Sequence, residues 1–308
     1  MSKYQIGEIG GVIPALVTPF DEQENLDVKR ARAITRSLLN QGIHGLYLTG
    51  STGEGFLCTV DERKAFVEAV VDEVAGDVPI IVHVGAISTK ASEELARHAF
   101  IAGADAISSV PPIYWRFSDS EIEAYYADLV QASGLPMVIY NVALAGSVSF
   151  DMIKRLGSID GVEGIKYTAS TLYDVFRIKE ELGAGFRVFS GSDELAISGL
   201  AFGADGIIGS TYNVLAPLFL RIYRQVCEND MDGARETQKI ANRFIFTLIA
   251  HNLMPSLKAT LTLGGVDGGR CRRPFTHFSR DDVESLKADY AALKAEYGDL
   301  GLDFLKNL

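Results

Sequence analysis

The chain has 308 residues, of which 47% are apolar, and its net charge is −11. Because nucleic-acid backbones are bound through clustered Lys and Arg, we expect an acidic chain of this kind not to bind nucleic acid. The sequence holds no run of eighteen apolar residues, and its first twenty residues do not predict a secretory signal. We therefore expect a cytoplasmic protein with no membrane partner.

Eight short runs rich in β-forming residues alternate with amphipathic helical patterns. The predicted strands cover 12–18, 45–50, 79–85, 105–110, 136–141, 162–167, 187–191 and 205–210. Most of them are continuously apolar, which is typical of parallel strands that are buried on both faces. The predicted helices between them cover 27–41, 60–75, 88–103, 118–133, 149–157, 170–182 and 193–203.

A strand followed by a helix, repeated along the chain, predicts an α/β fold of the (β/α)8 TIM barrel type. The alternative is a doubly wound open sheet, which usually has a glycine-rich phosphate turn after its first strand, whereas PFDEQENLD stands there. After residue 210, helices are predicted at 216–228, 231–250, 254–263 and 280–297. We therefore expect a barrel in residues 1–215 and a helical C-terminal extension in residues 216–308 that packs on the barrel.

The candidate catalytic and binding residues lie at the carboxyl ends of the predicted strands, because barrel active sites lie at that end. Strand two runs into TGSTGEG, strand three ends at His83, and strand seven runs into SGSDE. The three cysteines form no CxxC pair and the five histidines form no HxxxH or HxH set, so His83 is interpreted as structural. We expect neither a metal nor a cofactor.

Lys166 ends an apolar predicted strand among small or hydroxylated neighbours. Partial burial there would favour its neutral amine, which attacks a ketone to form a Schiff base. Tyr140 ends the adjacent strand and is a candidate proton relay. The alternatives are a lysine that extends into solvent and a tyrosine that serves only the core. Ser51, Thr52 and Gly53 offer hydroxyls and backbone N–H groups that suit a small anion such as a carboxylate.

Six motifs in this order resemble the pyruvate-dependent class I aldolase family, which includes dihydrodipicolinate synthase and N-acetylneuraminate lyase: GSTGEG, PPIYWRFS, IYN, GIKYT, FSGSDE and GADGIIGSTYN. The resemblance covers nearly the whole chain, including CRRPF at 271–275. It implies a (β/α)8 barrel that forms a homotetramer and takes small-molecule substrates, namely pyruvate and a sugar acid. It also implies Lys166 as the Schiff-base residue, Tyr140 as the proton-transfer residue and Tyr114 as a tyrosine near the subunit interface.

The same resemblance assigns the binding of the pyruvate carboxylate to Ser51, Thr52 and Gly53. The loop 140–150 lacks the arginine with which dihydrodipicolinate synthase holds an amino-acid carboxylate. An acidic aldehyde would therefore lose a bidentate partner here. The GSDE and GSTYN motifs instead resemble the branch that cleaves N-acetylneuraminate to N-acetylmannosamine and pyruvate. This resemblance implies contacts with the sugar from Thr168, Gly191, Asp193, Glu194 and Ser210.

Some alternatives stay open. Asp193 could cap a helix as well as bind a sugar. Ala143 stands where the family usually has a proline after the Tyr-Asn pair, so the loop that follows Tyr140 could differ. The enzymatic alternatives are an aldolase for a 2-keto sugar acid of the 2-keto-3-deoxygluconate type and a dihydrodipicolinate synthase-like enzyme. The alternative outside catalysis is a sugar-acid binding protein.

Overall fold

The computed structural model describes residues 3–308, and within them eight parallel strands form a barrel. The strands are β1 (Gly11–Pro14), β2 (Leu46–Leu48), β3 (Ile80–His83), β4 (Ala106–Ser109), β5 (Met137–Val142), β6 (Val162–Thr168), β7 (Arg187–Ser190) and β8 (Gly206–Gly209). Neighbours in the chain pair from β2 to β8, and β8 pairs with β1. A parallel bridge between Ala15 and Tyr47 closes the ring. The predicted TIM barrel is confirmed.

A helix follows each strand around the outside of the barrel. These helices are α1 (Val28–Asn40), α2 (Val60–Val74), α3 (Thr89–Ala102), α4 (Asp119–Ser133), α5 (Phe150–Gly157), α6 (Tyr173–Leu182), α7 (Ala196–Ala201) and α8 (Tyr212–Cys227). Local sequence explains several starts, since Thr59 and Ser118 form capping boxes with Glu62 and Glu121. No helix within residues 3–308 is long and apolar enough to cross a membrane.

Helix α8 begins four residues earlier than its predicted start at residue 216. It contains Pro217, and Leu215 departs from helical geometry with φ −115° and ψ 16°. Proline lacks an N–H and clashes with the preceding helical turn, so it is favoured at the first position of a helix. Pro217 therefore predicts that no helical turn precedes it. The structure forms that turn nevertheless, and it buries Tyr212 and Asn213 in the first turn of α8.

Four further helices pack on the barrel: α9 (Met231–Ala250), α10 (Leu253–Leu263), α11 (Arg280–Tyr297) and α12 (Asp303–Lys306). Tyr290 of α11 and Phe304 of α12 pack with ring centroids 4.6 Å apart. These helices share one continuous apolar core with the outer face of the barrel. The division into a barrel of residues 1–215 and an extension of residues 216–308 stays a prediction.

Side chains alternate between the two faces of the barrel wall. Outward residues such as Leu46 and Leu48 pack against the helices. Inward residues form a second apolar cluster inside the ring, which contains Ile13, Tyr47 and Phe189. Because successive residues of a strand face opposite sides, the inward positions near the carboxyl ends are the ones that reach the mouth of the barrel.

Candidate active site

Lys166 lies inside the barrel near the carboxyl end of β6, and only 4% of its surface is exposed. Its Nζ atom is 4.2 Å from the centroid of the Tyr140 ring and 4.4 Å from that of Tyr47. Aromatic faces attract cations, and more strongly in a desolvated site. The two rings therefore suit a positive charge on this nitrogen, whether an ammonium or an iminium.

Tyr140, in β5, packs against a second ring at the mouth of the barrel. The centroids of Tyr140 and His83 are 6.0 Å apart, with the rings nearly perpendicular at 88°. His83 is fully enclosed, and burial lowers its pKa well below the usual value, so the imidazole is neutral. Its Nε2 atom accepts a hydrogen bond from the Val110 N–H at 3.3 Å. The site thus places a neutral histidine, rather than a second cation, beside Tyr140 and Lys166.

The loop after β2 holds the predicted carboxylate-binding residues. Thr52 and Gly53 are buried, whereas Ser51 is exposed. The Oγ1 atom of Thr52 shares a hydrogen bond of 2.6 Å with the Oγ atom of Ser210, which follows β8. The structure therefore joins a residue predicted to bind pyruvate to one predicted to bind the sugar.

Asp193 follows β7 and its side chain is turned into the structure. Its Oδ2 atom accepts hydrogen bonds from the backbone N–H of Thr211 at 2.8 Å and from the Thr211 hydroxyl at 2.7 Å. The alternative in which Asp193 caps a helix is wrong, because it is the first residue of a 3₁₀ helix whose N-cap is Ser192. Burial raises the pKa of Asp193 to about 6.

The turn that carries Asp193 and Glu194 is held by hydrogen bonds from helix α9. Gln238 of α9 donates a hydrogen bond from Nε2 to the carbonyl oxygen of Asp193 at 3.0 Å. Asn242 donates from Nδ2 to the carbonyl oxygen of Glu194 at 3.2 Å. Helix α9 thereby holds the backbone of the turn, and Thr211 holds the side chain of Asp193. Glu194 stays half-buried at the barrel mouth.

Thr168 and Gly191 lie next to Lys166. The Thr168 hydroxyl is buried and has no hydrogen-bond partner within residues 3–308. A Cβ atom built on Gly191 would overlap that hydroxyl and would lie 3.3 Å from Cε of Lys166. Because buried hydroxyls in native proteins nearly always find partners, this one is available to a ligand beside the lysine.

Tyr114, in the loop after β4, lies apart from these residues. Its surface is 86% exposed, and its ring packs against Trp115 at a centroid distance of 4.7 Å. Its backbone has φ of +84°, an unusual value for a side chain of this size. An apolar cavity of about 300 Å³ opens nearby at the mouth, with Phe56, Leu144 and Phe275 in its lining.

Two site residues were missed from the sequence. Tyr47 stands between Leu46 and Leu48, and the period of two along a strand could have identified it as inward-facing. Arg63 of α2 is buried and donates to the carbonyl oxygens of His83 at 2.5 Å and Gly85 at 2.8 Å. Burial lowers its pKa to about 10. Nothing in the local sequence of α2 distinguishes this arginine from a surface one.

Within residues 3–308, no group of three or more His, Cys, Asp or Glu residues is arranged to hold a metal ion. The site is instead a lysine among aromatic rings, hydroxyls and two carboxylates. A model of the dihydrodipicolinate synthetase family matches residues 8–293 of the chain. The chain belongs to this family. The family resemblance of the six motifs is thereby confirmed.

Known members of the family are similar over nearly the whole chain. N-acetylneuraminate lyase of Rhizobium meliloti (strain 1021) is 35% identical, with 94% of this chain and 96% of the relative covered. N-acetylneuraminate lyase 2 of Escherichia coli O6:H1 is 40% identical, with coverage of 91% and 92%. Among solved structures, the Ruminococcus gnavus sialic acid aldolase is 30% identical and superposes with a TM-score of 0.90, covering 94% of this chain and 98% of that one.

Proposed function

We propose that this protein is a carbon–carbon lyase, a Schiff-base class I aldolase that cleaves N-acetylneuraminate reversibly to N-acetylmannosamine and pyruvate. The observation that carries the proposal is the buried amine of Lys166 between the rings of Tyr140 and Tyr47. The choice of sugar acid is supported by relatives named N-acetylneuraminate lyase at 35% and 40% identity.

In the proposed reaction, the neutral amine of Lys166 attacks the C2 ketone of the open-chain substrate, and loss of water forms an iminium. Tyr140 relays the proton of the C4 hydroxyl, directly or through the substrate carboxylate: its oxygen accepts this proton while its own proton is passed on, and the relayed proton later reaches the enamine carbon. The C3–C4 bond breaks, its electron pair enters the iminium, and N-acetylmannosamine leaves as an aldehyde. The remaining enamine is protonated at carbon, and hydrolysis releases pyruvate and the free lysine.

Substrate binding is proposed for two groups of residues on either side of Lys166. Ser51, Thr52 and Gly53 would hold the carboxylate through hydroxyls and backbone N–H groups. The contacts proposed for the sugar come from residues after β6, β7 and β8, namely Thr168, Gly191, Asp193, Glu194 and Ser210. Carboxylates accept hydrogen bonds from sugar hydroxyls, and the free hydroxyl of Thr168 supports this placement.

Tyr114 is proposed to act in a homotetramer in the cytoplasm, where it would support the hydroxyl network from the subunit interface. Its exposure of 86% and that of Trp115, 62%, leave a pair of aromatic rings in solvent. A left-handed backbone at such a residue persists only where other contacts hold it. Packing against another copy would supply those contacts, and light scattering would measure the number of subunits.

The test is borohydride trapping. The protein is incubated with pyruvate, reduced and weighed, and the modified residue is located by peptide mapping. We expect one pyruvyl adduct on Lys166 in the wild type and none in Lys166→Ala, which should keep the barrel folded. Absence of the adduct from the wild type would refute the Schiff-base mechanism.

A panel of sugar acids then ranks the substrates. It contains N-acetylneuraminate and 2-keto-3-deoxygluconate, and we expect the fastest cleavage for N-acetylneuraminate. Faster cleavage of 2-keto-3-deoxygluconate would contradict the proposed substrate while leaving the lysine chemistry intact. Binding of a sugar acid without any cleavage would favour a binding protein.

A further inference from the structure

Behind the loop that carries Thr52 lies an ion pair that is almost completely buried. Lys258 of α10 places Nζ 2.5 Å from Oε1 of Glu54, and the two side chains are 2% and 0% exposed. Burying two charges carries a large desolvation cost, and apolar residues of similar size often stabilise a protein as well or better. A role beyond stability is therefore worth testing for this pair.

Both charged groups have a complete set of partners. Besides Glu54, Lys258 Nζ donates to the carbonyl oxygen of Thr18 at 2.6 Å and to that of Arg270 at 2.7 Å. These three bonds use all the protons of an ammonium. The second carboxylate oxygen of Glu54 accepts the backbone N–H of Arg272 at 2.8 Å. The pair thus joins the loop after β1, the loop after β2, α10 and the segment 270–272.

The loop residues predicted to bind a carboxylate are held next to this pair. Glu54 has a left-handed backbone, with φ of +52°. The residue before it, Gly53, accepts a hydrogen bond at its carbonyl oxygen from the hydroxyl of Thr18 at 2.7 Å. Thr18 is itself bonded to Lys258 through its carbonyl oxygen. Any shift of the pair would therefore move the backbone from Ser51 to Gly53.

We propose that Glu54 and Lys258 form a positioning pair, which sets the loop 51–53 so that the site prefers ketones that carry a carboxylate. The inference rests on the proposed function, because it assumes that Lys166 forms a Schiff base with pyruvate. Neither residue of the pair touches the substrate. The pair affects the selection between ketones, because the aligned loop binds the carboxylate of pyruvate. A ketone without a carboxylate does not need this loop.

The experiment compares borohydride trapping of pyruvate with trapping of hydroxyacetone, a ketone of similar size without a carboxylate. The test variant is the double substitution Glu54→Gln with Lys258→Met, which removes both charges and keeps the side-chain volumes. We expect its pyruvate-to-hydroxyacetone ratio of trapping rates to fall about tenfold, the value of one charge-assisted hydrogen bond. Trapping of hydroxyacetone should stay near the wild-type rate.

A second variant tests the inference if the double variant does not fold. Glu54→Asp keeps the charge but shortens the side chain, so it should also lower the ratio. The matched control is Lys179→Met, which breaks an ion pair of 2.5 Å with Asp205 at the amino end of β8, and its ratio should equal that of the wild type.

A ratio that is unchanged in the folded variants would overturn the inference. An equal loss of both trapping rates would also overturn it, because that is the result of general damage to the fold. If the wild type itself forms no adduct with pyruvate but does with hydroxyacetone, carboxylate selection by this loop is refuted. If it forms neither adduct, the proposed function fails and the inference fails with it.

Discussion

Tyr140 and Lys166 are direct partners across the parallel ladder of β5 and β6. In this register both side chains face the interior of the barrel, and Nζ of Lys166 lies 4.2 Å from the centroid of the Tyr140 ring. Backbone hydrogen bonds of two central strands hold the pair, so no loop has to move to bring the two residues together. The lysine and its proposed proton carrier are therefore preorganised.

Tyr140→Phe should separate Schiff-base formation from bond cleavage. The substitution keeps the ring against Lys166 and His83 and removes only the hydroxyl. We expect the pyruvyl adduct to form at close to the wild-type rate, while cleavage of N-acetylneuraminate falls about 10²- to 10⁴-fold, as for loss of a general base. Trapping and single-turnover cleavage measure the two steps. Equal losses in the rates of adduct formation and of cleavage would show that the Tyr140 hydroxyl does not act in proton transfer alone.

Tyr47 tests whether an aromatic face stabilises the charged intermediate. Tyr47→Leu removes a ring that lies 4.4 Å from Nζ of Lys166. A desolvated cation–π contact contributes about 2 kcal/mol, so the iminium population at saturating pyruvate should fall by roughly tenfold or more. Tyr47→Phe keeps the ring and loses only the 3.0 Å hydrogen bond to Ser108. Similar iminium populations in the two variants would contradict the role of the ring.

Gly191→Ala should block the sugar side of the site. The added Cβ would overlap the Thr168 hydroxyl and displace it from the sugar, which would lose a hydrogen bond of about 1.5 kcal/mol. We therefore expect kcat/KM for N-acetylneuraminate to fall about tenfold or more. Gly185→Ala is the control, because no atom lies within 4 Å of its added Cβ. A kcat/KM equal to that of the wild type in Gly191→Ala would show that the sugar does not contact this part of the site.

Asp193 should make stability depend on pH. Its folded pKa of about 6 lies above the ordinary value of 3.8, so the native state keeps a proton that the unfolded chain has already lost. Stability therefore falls as pH rises from about 4 to 6, by roughly 3 kcal/mol in total. Asp193→Asn should lack this component, because an amide does not titrate in that range.

Denaturant unfolding of the wild type and Asp193→Asn at several pH values measures the difference. The two stabilities should diverge between pH 4 and 6 and run parallel above that range. Parallel curves throughout would show that the carboxyl of Asp193 titrates normally. Asn can still accept the bonds from Thr211, so the comparison removes the charge with little change in packing.

The strands were predictable because most of them are continuous apolar runs. The run 162–167 corresponds to β6 at Val162–Thr168, and its end placed Lys166 at the barrel mouth. Helix α8 was predicted to begin at residue 216, but the structure adds a turn before Pro217 in which Tyr212 is buried. The capping alternative for Asp193 failed, since its partner Thr211 is 18 residues away.

The sequence by itself determined the alternation of strands and helices, the family, and the identity of the lysine at the end of strand six. These follow from local periodicity and from short motifs. Only the tertiary structure decided that Tyr47 faces Lys166 and that Glu54 meets Lys258, which is 204 residues away. Such contacts depend on how the ring of strands closes and on where the C-terminal helices dock. No local sequence pattern encodes either of these arrangements.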